Sequence, residues 1–303
     1  MIEFRAIKAE DKDIYNEYLM ADSGRGCENS FVNLYVWGRQ KIAFIDGQAV
    51  IFSQFNRRTV YLYPIGGGDK RAALDAIIAD SKERGIPCRI TGLDDEAIKN
   101  IASLYPDKFR FHCDRDSFDY VYEIDDLADL KGKKYQKKRN HLNRFKANNP
   151  EYSVQPVSSA NAQKVSEFLA AWYEKRLAES PDSDFQMEQA AIAKALRNFE
   201  KIGLDGLALV LDGKIVAATF GSRMSKDTVD VHFEKAFAEV DGAYAAINSE
   251  FACYIREKYP DVKFLNREED MGIEGLRKAK ESYYPHHLVE KCWAHLLEDG
   301  YDY

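Results

Sequence analysis

Long apolar runs are missing. Nothing in the 303 residues approaches the roughly 18 needed to span a bilayer, so the chain reads without a transmembrane helix. The opening MIEFRAIKAEDK mixes both charge signs and lacks the basic-then-apolar layout of a signal peptide, so a soluble, cytosolic protein is expected. Cysteine is sparse. Its five positions (Cys27, Cys88, Cys113, Cys253, Cys292) are odd in number, scattered and never C-x-x-C, which argues against a disulfide framework or zinc site and for reduced, mostly buried thiols. The six histidines show neither H-x-x-x-H nor H-E-x-x-H, so no metal is expected.

What is present is a sizeable apolar fraction, 45%, with 13% aromatics, enough for a substantial core and, at this length, for two domains. The charge is unevenly placed. Lys131 to Lys146 carries eight Lys or Arg and no acid, and removing those eight from 43 leaves 35 basic against 50 acidic residues. A concentrated cationic stripe in an acidic chain is an address for a polyanion. On a helix, Tyr135, Leu142 and Phe145 share one side, while Lys133, Lys137, Asn140 and Arg144 share the other, with Lys134 and His141 beside them. A solvated face is the plain alternative, but such helices usually interleave acids, and here Lys133/Lys137 and Lys134/Lys138 repel each other at i, i+4.

The two halves repeat one order of elements. In the first, a helix near 11–21 precedes a hairpin across Asp46-Gly47, a strand Thr59–Tyr63, a helix at 70–84, a strand at 88–91, a helix at 94–104 and a strand Phe118–Ile124. In the second, a strand Val154–Val157 and helices near 159–178 and 186–200 precede a hairpin across Asp212-Gly213. A strand from Thr228, a helix at 242–258, a strand Val262–Asn266, a helix at 272–283 and a strand Leu288–Trp293 complete it. Gly47 and Gly213 are 166 apart and Thr59 and Thr228 are 169 apart, so two copies of one unit are expected. The expected domains are 1–149, ending in a basic helix over 131–148, and 150–303, containing the active cleft.

Candidate chemistry gathers late in the chain. The stretch N-R-E-E-D-M-G-I-E-G-L-R-K-A-K from Asn266 is a strand end, a polar turn and a helix start, with carboxylates at Glu268, Glu269 and Asp270 that suit an ammonium group or a proton acceptor better than a phosphate. Capping and dipole complementation explain the same residues structurally. Asn266, Arg267, Arg277 and Lys278 are candidate substrate-binding groups nearby. Gly272 and Gly275 are read as permitting a close approach. Alternation along the Thr228 strand puts His232 and Glu234 on one face, and Tyr283, at the end of the last helix, offers a hydroxyl able to protonate a leaving group. Gly66-Gly67-Gly68 lies between strand and helix but lacks both phosphate-loop spacings, and a glycine turn explains it. Glu28 and Asn29 are candidate polar groups of a cleft.

With the repeat, the basic helix and that motif together, the chain resembles a bacterial group related to the C-terminal domain of phosphatidylglycerol lysyltransferases. The resemblance covers essentially the whole chain. It implies an α/β (α+β) architecture of two tandem GNAT-like (Gcn5-related N-acetyltransferase) domains, each a mixed, mainly antiparallel sheet flanked by helices, as in Fem-type aminoacyltransferases that draw on aminoacyl-tRNA. The membrane lysyltransferases carry an additional multi-helix membrane domain that has no counterpart here. Acetyl-CoA-using domains carry [Q/R]-x-x-G-x-[G/A] before the helix that follows their fourth strand; here Glu239-Val-Asp-Gly242-Ala-Tyr244 keeps only the central glycine.

The resemblance therefore implies an acyltransferase that moves an aminoacyl group from aminoacyl-tRNA to an amine or hydroxyl, with no required cofactor. His232, Glu234, Glu268, Asp270 and Tyr283 are the expected catalytic groups. Lys133, Lys134, Lys137, Lys138 and Arg139 are the expected contacts to tRNA, another polyanion or, peripherally, an anionic lipid surface. An acyl-CoA-dependent N-acyltransferase and a non-catalytic RNA-binding module are the alternatives.

Overall fold

The computed structural model describes residues 1–22, 26–55, 58–181 and 185–297. The first half runs β1 (Arg5–Ala6), α1 (Lys12–Ala21), α2 (Phe31–Val36), β2 (Gln40–Ile45), β3 (Gln48–Phe55), β4 (Arg58–Leu62), α3 (Lys70–Arg84), β5 (Arg89–Leu93), α4 (Asp95–Leu104), β6 (Phe109–Cys113), β7 (Asp119–Glu123), α5 (Ile124–Asp129) and α6 (Gln136–Asn148). The second runs β8 (Ser153–Pro156), α7 (Ala162–Glu179), α8 (Gln186–Arg197), β9 (Leu204–Leu211), β10 (Lys214–Arg223), β11 (Thr228–Ala236), α9 (Ala243–Lys258), β12 (Phe264–Asn266), α10 (Glu274–Glu281), β13 (His287–Val289) and β14 (Cys292–Leu296).

Local chemistry explains most boundaries. Asp46 and Gly47 both take positive φ (46° and 74°), as do Asp212 and Gly213 (49° and 74°), the geometry that lets a two-residue turn follow the twist of its strands. Asp69 and Asp94 cap α3 and α4 by accepting from the Arg71 and Ala97 amides, at 2.8 Å each. The glycine run is a packed turn, as its missing spacing suggested: a side chain on Gly68 would lie 1.8 Å from the Asp46 carbonyl oxygen, and Gln48 donates to the Gly66 and Gly68 carbonyls. The basic helix is shorter than expected. Gly132 (φ 86°) breaks the chain and a single 3-10 turn over Lys133–Tyr135 precedes α6.

Among the described residues the strands form two seven-stranded sheets, with orders β1-β2-β3-β4-β5-β14-β6 and β8-β9-β10-β11-β12-β7-β13. Each is mainly antiparallel around one parallel pair, β4 with β5 and β11 with β12. Position by position the orders match, except that the sixth strand of each sheet comes from the other half of the sequence. In place of the one strand expected over Leu288–Trp293, the chain breaks at Glu290-Lys291 into β13 and β14.

By contact density the first unit is 1–119, 269–277 and 288–303, and the second is 120–268 and 278–287. The expected division at 149/150 therefore differs from the one at 119/120. The reason is the strand exchange: β7 pairs with β12, and β14 is inserted between β5 and β6. In the first unit Cys292, Ala294 and Leu296 of β14 complete a core with Val50, Phe52, Tyr61, Leu74, Ile77, Ile90 and Ile101. Cys292 stands opposite Cys113 and is disulfide-bonded to it, which departs from the expectation of reduced thiols throughout. Cys27 and Cys88 are buried thiols and Cys253 is half-buried. In the second unit β9 is buried continuously from Leu204 to Val210, as a strand covered on both faces must be, and α7 and α9 pack on β10 and β11.

Candidate active site

The expected alternation along β11 is interrupted at His232: Phe233 pairs with Phe220 and Val231 with Gly221, so the extra residue of a β-bulge leaves His232 beside Asp230 and Ser222, while Glu234 stands opposite Thr219, and the turn after β12 supplies partners to both. Glu234 Oε1 accepts from Arg267 Nη2 at 2.8 Å, and its Oε2 accepts from Asn248 Nδ2 of α9 at 3.3 Å. The Arg267 guanidinium lies 5.0 Å from the Tyr283 ring centre and 5.7 Å from that of Tyr122. Burial alone would lower the pKa of Arg267; the Glu234 carboxylate and the two phenols outweigh it and keep it raised. Lys138 reaches the same ring from α6, its Nζ 3.9 Å from the Tyr283 centre. Burial, with Arg267 next, pulls the Lys138 pKa down to about 8, against the opposing pull of Glu234. Tyr283 is buried and pushed up to about 12, chiefly by desolvation.

His232 is placed differently. Its side chain is 0% exposed, Nε2 lies 2.8 Å from Ser222 Oγ, and Nδ1 faces Asp230 at 3.4 Å and Glu268 at 3.3 Å. Its contact with Glu268, which is 23% exposed, holds that carboxylate from the buried side. Glu268 has a positive φ (58°), an uncommon conformation for this residue type. The turn that imposes it is tied twice: Asn266 Oδ1 accepts from the Glu268 amide at 2.8 Å, and the buried Lys280 ammonium donates to the carbonyls of Arg267 and Glu268. Asn266, expected to bind substrate, is a 1% exposed buttress of this turn.

Other expected residues have structural employment. Asp270 belongs to the first unit, where it is fully buried and grips Arg277 Nε and Nη2 at 2.8 and 2.9 Å, with Arg115 at 3.5 Å and the Gly272 amide at 2.9 Å. Arg277 also binds Asp116 at 2.5 Å. Gly272 (φ 72°) does allow a close approach, of Asp116, whereas a side chain on Gly275 would meet open space. Arg139 donates to the Leu130 and Gly132 carbonyls, closing the loop before α6, and Lys134 pairs with Asp126 at 3.1 Å. Lys133 and Lys137 are exposed, as is Lys278. Of the basic set, Lys138 alone joins Glu234.

A second charged cluster lies in the first unit. Lys291 is 7% exposed, with Nζ 2.7 Å from Asp119, 2.8 Å from Glu269, 3.6 Å from Glu28 and 3.4 Å from Cys27 Sγ. Its pKa is raised well above the usual value because Asp119, the thiol and the two glutamates outweigh burial. Burial pushes Glu28 up to about 7. Cys27, Asp119 and Glu269 have metal-ligand spacing, as do Asp230, His232 and Glu268. In the first trio the Lys291 ammonium holds the place a cation would take.

Asn248, Ser222, Asp230 and Lys291 were not singled out from the sequence, and Lys280, read there only as nearby positive charge, is the buried tie of the turn. Asp230, two residues before His232 on the same strand, was legible, whereas the β-bulge that separates both from Glu234 was not; Asn248 sits among alanines in α9 with no local signal.

The two mixed sheets define a tandem GNAT-like fold. The family model described as phosphatidylglycerol lysyltransferase, C-terminal, matches residues 23–295, and the chain belongs to that family, which relates it to aminoacyltransferases. Among solved structures it is 39% identical to a conserved protein of unknown function from Bacteroides thetaiotaomicron, covering 98% of this chain and 100% of that one, with a TM-score of 0.93. L-PGS from Bacillus licheniformis is 16% identical (95% and 92% covered, TM-score 0.68) and FemX 11% identical (98% of each, TM-score 0.61), both likenesses of fold. No curated protein matches the sequence. Among the described residues no helix is long and apolar enough to cross a membrane.

Proposed function

We propose that the protein is an aminoacyltransferase that takes its acyl group from aminoacyl-tRNA and works at Glu234. The observation that carries this reading is the arrangement around that carboxylate: a nearly buried acid held by Arg267 and Asn248, beside Arg267 a phenol, Tyr283, whose hydroxyl makes no hydrogen bond among the described residues. Asn248 Oδ1 is likewise buried without a hydrogen-bond partner, an acceptor suited to an ammonium or hydroxyl of the substrate.

In the proposed reaction the acceptor amine or hydroxyl attacks the ester carbonyl and gives its proton to a carboxylate, Glu234 or Glu268. The carbon–oxygen bond to the ribose then breaks, and the departing oxygen takes the Tyr283 proton. Lys133 and Lys137, exposed on the basic segment, supply contacts to RNA phosphates without sequence preference.

Against an acyl-CoA donor stands the start of α9, where backbone amides would have to receive a pyrophosphate. Gly242 (φ 81°) caps that helix, and a side chain there would lie 2.3 Å from the His141 carbonyl oxygen and 2.9 Å from Phe145 Cβ, so α6 already covers the position.

The test pairs binding with turnover. Salt-sensitive binding of total tRNA, without binding of CoA, is expected, together with transfer of a labelled amino acid that Glu234→Gln lowers by about 100-fold or more while tRNA affinity stays unchanged. Micromolar CoA binding with no tRNA binding would overturn the reading in favour of an acyl-CoA transferase.

A further inference from the structure

The group around Glu234 carries one positive charge too many. Arg267 spends Nη2 on Glu234 and leaves Nη1 buried with no hydrogen-bond partner. Lys138 Nζ makes no hydrogen bond or ion pair among the described residues; its contact is the face of Tyr283. Two cations thus converge on one ring and share one carboxylate, whose second oxygen is already engaged by Asn248. A buried guanidinium N–H without an acceptor loses its hydration uncompensated, and a half-buried ammonium beside a second cation is penalised further. Such an arrangement is what a site looks like when part of its charge balance belongs to a ligand.

We propose that Lys138 and Arg267 form a subsite for one phosphodiester of the RNA that carries the acyl group, the one joining its 3′-terminal nucleotide to the rest of the strand. The inference rests on the donor reading above. If the ester on the terminal ribose lies at Glu234, the nearest anion in the same molecule is that nucleotide's own 5′ phosphate. Guanidinium and ammonium together match its two non-bridging oxygens. Lys138 also belongs to the segment whose Lys133 and Lys137 are exposed, so one strand of RNA can meet all three cations in turn. The depressed pKa of Lys138 fits: burial penalises its charge first, Arg267 opposes it next and Glu234 favours it, so a bound phosphate would restore the proton.

The experiment uses the full chain with two probes, the trinucleotide CpCpA and total tRNA, and compares wild type with Lys138→Gln, Lys138→Arg and the pair Lys133→Gln/Lys137→Gln. Lys138→Gln is expected to weaken CpCpA binding by about tenfold or more, and Lys138→Arg to restore most of it. The outward pair should leave CpCpA affinity unchanged and reduce the salt dependence of tRNA binding by about one to two in logarithmic slope. Wild-type affinity for CpCpA should fall as pH rises past about 8, and this dependence should vanish in Lys138→Gln. Urea unfolding of each variant separates loss of binding from loss of fold.

Equal CpCpA affinity in Lys138→Gln and wild type overturns the subsite, as does failure of the wild type to bind CpCpA. If tRNA binding and transfer persist in either case, the donor reading survives without it; if tRNA binding is absent as well, both fall. Lys138-dependent binding of phosphatidylglycerol vesicles without CpCpA binding would assign the pair to a lipid phosphate and overturn the RNA assignment.

Discussion

Two lysines, Lys291 buried and Lys138 half-buried, show how partners decide what burial does. Lys291 is surrounded by Asp119, Glu269 and Glu28, and its proton is held well above the usual range; Lys138 faces Arg267 with only Glu234 in compensation, and its pKa falls to about 8. The signs of the linked stability follow. The contribution of Lys291 is fully present below the unfolded-state pKa of about 10.4 and is lost as pH rises through the higher folded value. Lys138 costs stability below about 8, and that cost is relieved as pH climbs toward the unfolded value. Lys291→Met should therefore destabilise by about 3–5 kcal/mol at pH 7, because Asp119 and Glu269 would be left buried without their cation. Lys138→Met should stabilise by about 1 kcal/mol, discounted for partial solvent screening, and that gain should shrink between pH 8 and pH 10. Urea unfolding across this range measures both; a stabilised Lys291→Met would refute the account of that cluster. Neither outcome was legible in the sequence, where Lys291 stands in an unremarkable V-E-K-C and its partners lie at Glu28, Asp119 and Glu269.

At the scale of elements the basic segment was legible as a helix, and its division of labour was legible in part. Tyr135 and Phe145 are fully buried, as their spacing required, and Lys133 and Lys137 point outward. What periodicity does not carry is that Arg139 closes the preceding loop and that Lys138 reaches Tyr283, since both depend on chain distant in sequence. Gly242 is the hinge of this packing. Its φ of 81° and the 2.3 Å that would separate a β-carbon from the His141 carbonyl oxygen oppose any side chain, because the obstacle is backbone. Gly85 also has a positive φ (65°) but faces open space. Gly242→Ala should then cost about 2–4 kcal/mol, combining left-handed strain with overpacking, against about 1 kcal/mol for Gly85→Ala. Urea midpoints for the two variants give the comparison directly, and equal costs would mean that α6 shifts away from α9 without penalty.

For the whole molecule, the repeated order of hairpin, strands and helices could be read from Asp46-Gly47, Asp212-Gly213 and the Thr59 and Thr228 strands, because turns are local; the parallel pairing of β4 with β5 and of β11 with β12 could not. The exchange of β7 and β14 could not. Both strands read as the last strand of their own half, and nothing in Asp119–Glu123 or Cys292–Leu296 says which sheet will take it. Their pairing is decided by core completion: Cys292, Ala294 and Leu296 fill the first core, and Leu265 and Tyr122 are buried cross-strand partners in the second sheet. The same exchange hid the Cys113–Cys292 disulfide, whose partners are 179 residues apart. It also makes a prediction that a simple tandem would not. Fragments 1–149 and 150–303, cut at the end of α6, should each lack the sixth strand of its sheet and should separately show weak near-ultraviolet dichroism and a broad, poorly cooperative melt. Mixed in equal amounts, they should regain a cooperative transition, because β14 returns to its place between β5 and β6 while β7 returns to β12. Two fragments that each melt cooperatively alone would show that the cores close without the exchanged strands.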